Sequence, residues 1–432
     1  MTDSTAKPAS RWRTVPSTDR TPWALILLLV AVAGMGPFSM QMIVPALPML
    51  AGHFERSISA VQLTVSLYLI GLACSQLIVG PLSDRFGRRP VLIGGLTLMV
   101  IANLAAIFAV TLEQLIVARV IQALGAAAGV ALSRAIIRDL YDRDRAAGMI
   151  GLVVGVMMVA PMVGPLIGGL LETSFGWRTI FYLLGTLSIL IAIWAVATLP
   201  ETRRVQADGR PRNWRDDIRA LMHSTEYHGY ILCVMFAAAT FFIFAGGGAY
   251  VTVLQMGRSS AEYGAWFATG GLAYVLGNLS SARLSPQLGV YRMIWIGLTL
   301  QMIGSLINLA WGIVGLNQMP SWLFLTQTIV AYGNGFVMSN ASAGAVSVRP
   351  QAAGTASGIQ GFLQMGFGAI VSQIGAYLGA YFSTPLPLNI GGVVLTFACT
   401  AVVMFLIPKP GKKAAGERPW PRLVSGGTPP PP

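Results

Sequence analysis

Charge is scarce in this chain. Only 10% of its 432 residues are charged, against about 25% in ordinary soluble domains. With 54% hydrophobic residues, a solvated globular protein is excluded. Acids are scarcer still: 16 Asp and Glu in all, none in the middle of an apolar run. That leaves no His/Asp/Glu or nucleophile–base constellation at membrane depth, so an enzyme is not expected. His53, His223 and His228 form no metal-ligand cluster. Cys74, Cys233 and Cys399 all fall inside apolar runs, with neither disulfide nor zinc spacing. They read as small core residues, and neither metal nor cofactor is expected. The net charge of +13 does not point to nucleic acid, because the basic residues lie in the gaps between apolar runs.

What the chain has in abundance is long apolar runs. Crossing a bilayer takes about 20 such residues. Runs of that kind fall at 23–48, 58–79, 91–110, 114–136, 147–171 and 179–199, and again at 229–254, 264–282, 293–316, 321–345, 354–382 and 388–408. The fold expected is an all-α membrane protein of twelve transmembrane helices in two six-helix halves. Residues 1–22 form a polar cytoplasmic N-terminal segment, 23–199 the first bundle and 200–228 a basic linker. Residues 229–408 form the second bundle and 409–432 a disordered cytoplasmic tail. The 49 glycines offer sites for close helix approach in lipid.

Lys and Arg set the orientation. With a cytoplasmic N-terminus, 24 of the 29 lie in cytoplasmic segments, and only Arg56, Arg178 and Arg258 lie outside. Arg119 and Arg134 remain within a span. Both termini are therefore expected in the cytoplasm of a multi-pass protein whose lipid surroundings are the bilayer.

The tightest stretch is Gly80-Pro81-Leu82-Ser83-Asp84-Arg85-Phe86-Gly87-Arg88-Arg89-Pro90. Gly80 and Pro81 should end one helix, and Gly87 and Pro90 should shape the turn into the next. Span 4 holds Arg119-Val-Ile-Gln122-Ala-Leu-Gly125, and span 5 holds Pro161-Met-Val-Gly164-Pro165-Leu-Ile-Gly168-Gly169. Gly176-Trp177-Arg178, Leu199-Pro200-Glu201-Thr202, Val44-Pro45-Ala46-Leu47-Pro48 and Arg134 to Tyr141 complete the set. In this order these stretches resemble the major facilitator superfamily of transporters, in particular its Bcr/CflA drug-exporter branch. The motifs are strong in the first half and weak in the second.

The resemblance implies alternating access, with two halves rocking around a midplane site. It makes Gly80, Asp84, Arg85, Gly87, Arg88 and Arg89 a conformational latch. Asp84 would meet a helix N-terminus across the seam, or Arg138. Pro161, Gly164, Pro165 and Gly168 would form the antiporter motif, a bend and close helix contact. Arg119 is costly at membrane depth and so a functional candidate; Gln122 shares its face. Many relatives carry an aspartate in span 1 where this chain has Gln41, so the carrier for proton coupling is not evident. The edge acids Glu113, Glu172, Glu226 and Glu262 remain weak candidates. Gln41, Arg119, Gln122, Met157, Phe241, Phe244, Asn334, Gln360 and Gln364 are the substrate-binding candidates, an apolar pocket with a few polar groups. The expected function is proton-coupled export of small amphipathic drug-like compounds from a bacterial inner membrane by a monomer. The alternatives are an exporter of one metabolite or siderophore, and a transporter-like sensor without flux.

Overall fold

The computed structural model describes residues 23–141, 149, 153, 155, 157, 159–202, 214–316, 319–349 and 352–409. The expected N-terminal segment, much of the linker, the tail and most of the first half of span 5 lie outside the described residues. Among the described residues there is no strand. In chain order the helices are α1 (Trp23–Met42), α2 (Leu47–His53), α3 (Ile58–Phe86), α4 (Arg88–Ile107), α5 (Leu112–Leu140), α6 (Ala160–Phe175) and α7 (Arg178–Thr198). They continue with α8 (Trp214–Met222), α9 (Thr225–Tyr250), α10 (Ser260–Val314), α11 (Pro320–Ser347), α12 (Ala353–Ala380) and α13 (Leu386–Leu406). α10 is two spans joined through Gly289, where φ is 78°. With α1 and α2 taken as one, α10 as two and α8 set aside, the described residues form twelve helices, matching the expected order of spans. Eight of the helices are long and apolar enough to cross a membrane unaided. α11 and α12, richer in Gly, Ser, Asn and Gln, and the short α6 do not meet that measure.

Local chemistry explains the breaks. Pro45 and Pro48 cannot donate to a helix ladder but suit a first turn. The first span therefore divides into α1, a 3-10 turn at Val44–Ala46, and α2. Ser57, Ser224 and Ser259 each accept a backbone N–H at the start of α3, α9 and α10. Thr111 and Gln114 form a reciprocal capping box on α5. One expectation fails: α3 does not end at Gly80-Pro81 but runs on to Phe86. Pro81 removes a single ladder bond, and the reversal is made instead by Gly87 at φ 101°, a conformation open to glycine.

α1, α3, α4, α5, α6 and α7 pack among themselves, as do α9 to α13. The two groups meet where α3 lies on α12 and α6 on α10. Element order puts Gly87, Gly289 and Arg349 at one end, the basic end, and Ser57, Thr111, Gly176 and Ser259 at the other, the far end. At the far end the halves share one hydrophobic core, with Leu47, Leu50 and Trp177 in the same cluster as Phe244, Tyr263, Phe267 and Phe324. Near the basic end the second half has a core of its own, built on Leu221, Tyr227, Val234, Ala345 and Val403.

Candidate functional site

The seam is closed at its far end by hydrogen bonds and by backbone contact. On α3, Gln62 Nε2 donates to Ser372 Oγ of α12 at 2.9 Å. Ser66 Oγ donates to Gln373 Oε1 at 3.0 Å, and Gln373 Nε2 donates back to the Ser59 carbonyl at 2.8 Å. Ser260 Oγ of α10 donates to the Pro45 carbonyl at 2.9 Å. These groups lie in mostly apolar surroundings, where leaving them unpaired is expensive. The sequence signal for this clasp was present but faint: Gln62 and Ser66 stand four apart on one helix face.

α6 is the second seam element. A Cβ at Gly168 would run into the Met42 carbonyl of α1, and one at Gly169 into the Ser260 carbonyl of α10. A Cβ at Gly164 would stand 3.2–3.4 Å from Gln41 Cβ, the Phe38 carbonyl and Met42 N. Across the seam Gly264 lies on the Pro165 carbonyl. The Gly/Pro motif thus lets α6 touch α1 on one face and α10 on another at backbone range. Pro161 stands in the first turn of the described helix and Pro165 within it.

The basic-end loop folds back on its own half. Asp84 Oδ1 pairs with Arg88 NH1 at 2.6 Å, with the Asp84 side chain 65% exposed. The expected contact of Asp84 with a helix N-terminus across the seam is absent among the described contacts, because Arg88 lies one turn on and holds the carboxylate. Arg88 also bonds Asp139 Oδ2 at 3.1 Å and Ser83 Oγ at 2.5 Å. Arg138 does not meet Asp84 either; its Nε donates to the Arg134 carbonyl. Arg85 lies over the Phe86 ring, and Arg89 NH2 donates to the Val196 carbonyl at 2.9 Å. Gly80 has open space around it. The acid at a helix N-terminus is Glu201, whose carboxylate accepts from Arg88 N at 2.9 Å and Arg89 N at 3.2 Å. It satisfies orphan donors of α4 and complements the helix dipole. The motif around Glu201 was visible in the sequence, but not this role.

Arg119 is fully buried inside the first half. NH1 donates to the Ser39 carbonyl at 3.2 Å, to Ser39 Oγ at 3.1 Å and to Gln122 Oε1, and Nε donates to the Thr64 carbonyl at 3.4 Å. The guanidinium lies 4.2 Å from the Tyr68 ring centroid. Gln122 Nε2 donates in turn to Asn103 Oδ1 at 2.7 Å, and Asn103 Nδ2 to Ser188 Oγ at 3.3 Å. Arg119 and Gln122 are thus engaged with α1, α3 and α4 of their own half. Among the described residues, Arg119 NH2 and Gln41 Nε2 find no acceptor. Met157 is buried in the core.

In the second half Phe241 and Phe244 join Tyr263, Trp266, Phe267 and Phe324 in one aromatic cluster, Phe244 and Phe324 at 5.3 Å. Asn334 Nδ2 donates to the Ala237 carbonyl at 3.0 Å. Gln360 Nε2 donates to Ser342 Oγ at 2.8 Å, and Gln364 is half-buried on the same helix. Of the nine binding candidates, Gln41, Arg119 and Gln122 sit in or beside the Arg119 cluster, Met157 is in the core of the first half, and five lie on α9, α11 and α12.

Comparison with known proteins accords with this layout. The sequence profile of the Major Facilitator Superfamily matches residues 26–371. The chain is 26% identical over 383 residues to a bicyclomycin resistance protein homolog of Haemophilus influenzae, covering 87% of this chain and 94% of that one. It is 28% identical to a chloramphenicol resistance protein of Pseudomonas aeruginosa, covering 89% of each. Among solved structures, the xylose transporter XylE of E. coli in a partially occluded inward-open conformation matches 90% of this chain and 99% of its own. The TM-score is 0.72 and the identity 15%.

Proposed function

The chain belongs to the major facilitator superfamily, and we propose that it exports small drug-like amphipathic compounds from a bacterial cytoplasm by proton-coupled alternating access. It is a multi-pass membrane transporter and not an enzyme. The observation that carries the reading is the asymmetry of the seam. At the far end the halves share a core and four hydrogen bonds; near the basic end the second half has a separate core and Asp84 stays on its own side. Lys and Arg at the basic end support placing that end, and both termini, in the cytoplasm. On this reading the structure is an inward-facing state of a monomer, with residues 23–199 and 229–408 as the rocking units.

Export then requires the far-end clasp to open. Each of its hydrogen bonds contributes about 0.5–1.5 kcal/mol net, so opening costs several kcal/mol. New contacts at the basic end must offset that cost. The resemblance to drug-resistance relatives supports the substrate class, and the aromatic cluster of Phe241 and Phe244 supplies apolar surface for it. The sequence has no acid in the middle of a span, so the carrier for the proton is sought among acids at span ends, such as Glu113, Glu172, Glu226 and Glu262, which are weak candidates. Accumulation of chloramphenicol by inverted membrane vesicles tests the proposal. A pH gradient should drive uptake, and dissipating it should stop uptake. No uptake above vesicles lacking the protein would contradict it.

A further inference from the structure

We infer that the pathway selects by substrate charge, disfavouring lipophilic cations relative to neutral or anionic compounds; the inference rests on the exporter reading above. The sequence carries 16 acids, and all of them lie at span ends or between apolar runs. Asp84, Asp139, Glu201 and Glu226 are at the basic end, and Glu55, Glu113, Glu172 and Glu262 are at the far end. The rest fall in the N-terminal segment, the segments joining spans, and the tail. No fixed negative charge therefore stands at membrane depth.

A fixed positive charge does. Arg119 is buried on α5 and, among the described residues, has no carboxylate within ion-pair distance. Its partners are the Ser39 and Thr64 carbonyls, the Gln122 amide oxygen and the Tyr68 ring. These dipoles stabilise the guanidinium without cancelling its charge. NH2 finds no acceptor among the described residues.

Position decides how far this field reaches. Thr64 and Tyr68 of α3 face Arg119, whereas Gln62 and Ser66 of the same helix face α12 across the seam. One helix, ~10 Å across, therefore separates the charge from the seam. At that range, with an effective dielectric constant of about 20, a monovalent cation in the seam is disfavoured on the order of tenfold. A neutral compound feels no such effect, and an anion is favoured. The opposing influence is attraction of a cation to the rings of Phe241 and Phe244, a short-range effect that fades beyond about 6 Å.

The test uses purified full-length protein in liposomes, with chloramphenicol as the neutral probe and tetraphenylphosphonium as the cation. Wild type should move chloramphenicol with at least about tenfold higher efficiency, and Gln41→Asp should narrow the ratio by about tenfold. Gln41 is buried on α1, and among the described residues its Nε2 has no acceptor to lose. Should Gln41→Asp fail a size-exclusion check, the wild-type ratio decides alone. Equal transport of both probes by wild type overturns the inference, as does an unchanged ratio in folded Gln41→Asp. Movement of neither probe by wild type overturns the exporter reading and takes the inference with it.

Discussion

Replacing Gly87 by alanine should act through Glu201 as well as through the backbone. Gly87 has φ 101° and ψ 156°, a region open almost only to glycine that costs an L side chain about 1–3 kcal/mol. A Cβ there would also stand 2.5 Å from Glu201 Oε2 and 3.0 Å from its Cδ. The carboxylate must then move away from the α4 N-terminus, where it accepts from Arg88 N and Arg89 N. Losing a cap of this kind costs a further ~1–2 kcal/mol. Glu201→Ala alone loses only the second contribution. The double variant should be little worse than Gly87→Ala, since alanine at 87 has already displaced the carboxylate. Equilibrium unfolding in mixed micelles measures all three. The expected coupling is about 1–2 kcal/mol short of additivity, well outside the ~0.5 kcal/mol within which independent sites add. Additive losses would show that alanine leaves the carboxylate in place, and the reasoning would fail.

Other outcomes follow from the same contacts. Asp84→Asn should lower transport while leaving membrane abundance nearly unchanged, since among the described residues its carboxylate, 65% exposed, pairs with Arg88, a contact worth ~0–1 kcal/mol at such exposure; normal flux would remove the latch role. Gly168→Ala should cost about 1–3 kcal/mol in unfolding by driving a Cβ into the Met42 carbonyl. Gly94→Ala, with nothing within 4 Å, is its control and should cost nothing measurable. Gly164→Leu should stop export by holding α1 away from α6, as flux measurements would show. Gln373→Leu removes two seam hydrogen bonds and should shift the population toward the far-end-open state, read as increased labelling of a cysteine placed at the buried Ala369, one turn before Gln373, in a background without the native cysteines.

The twelve spans and the basic loop were legible because both are local. Hydropathy runs record membrane depth, and the spacing of glycine, proline and arginine marks the loop. The turn at Gly87 was also legible, but the end of α3 was misplaced, because one proline removes too little to stop a helix packed on neighbours. The partner of Asp84 was not legible. Its choice between Arg88 and a helix across the seam depends on which state the halves occupy, and sequence spacing carries no record of that. Arg119 stood out as a buried cation, but its ring and carbonyl partners come from α1 and α3, dozens of residues away. The seam clasp went unread for the same reason: Gln62 and Ser372 are ordinary polar residues until α3 and α12 are brought together.

The central claim is that transport requires the far-end seam to part. A variant with Gln62→Cys and Ser372→Cys, its three native cysteines replaced, places a thiol on each side of the clasp. Joined by a short reducible bis-methanethiosulfonate linker, it should bind chloramphenicol yet move none, and reduction should restore flux. Transport at the unlinked rate with the linker in place would contradict the account.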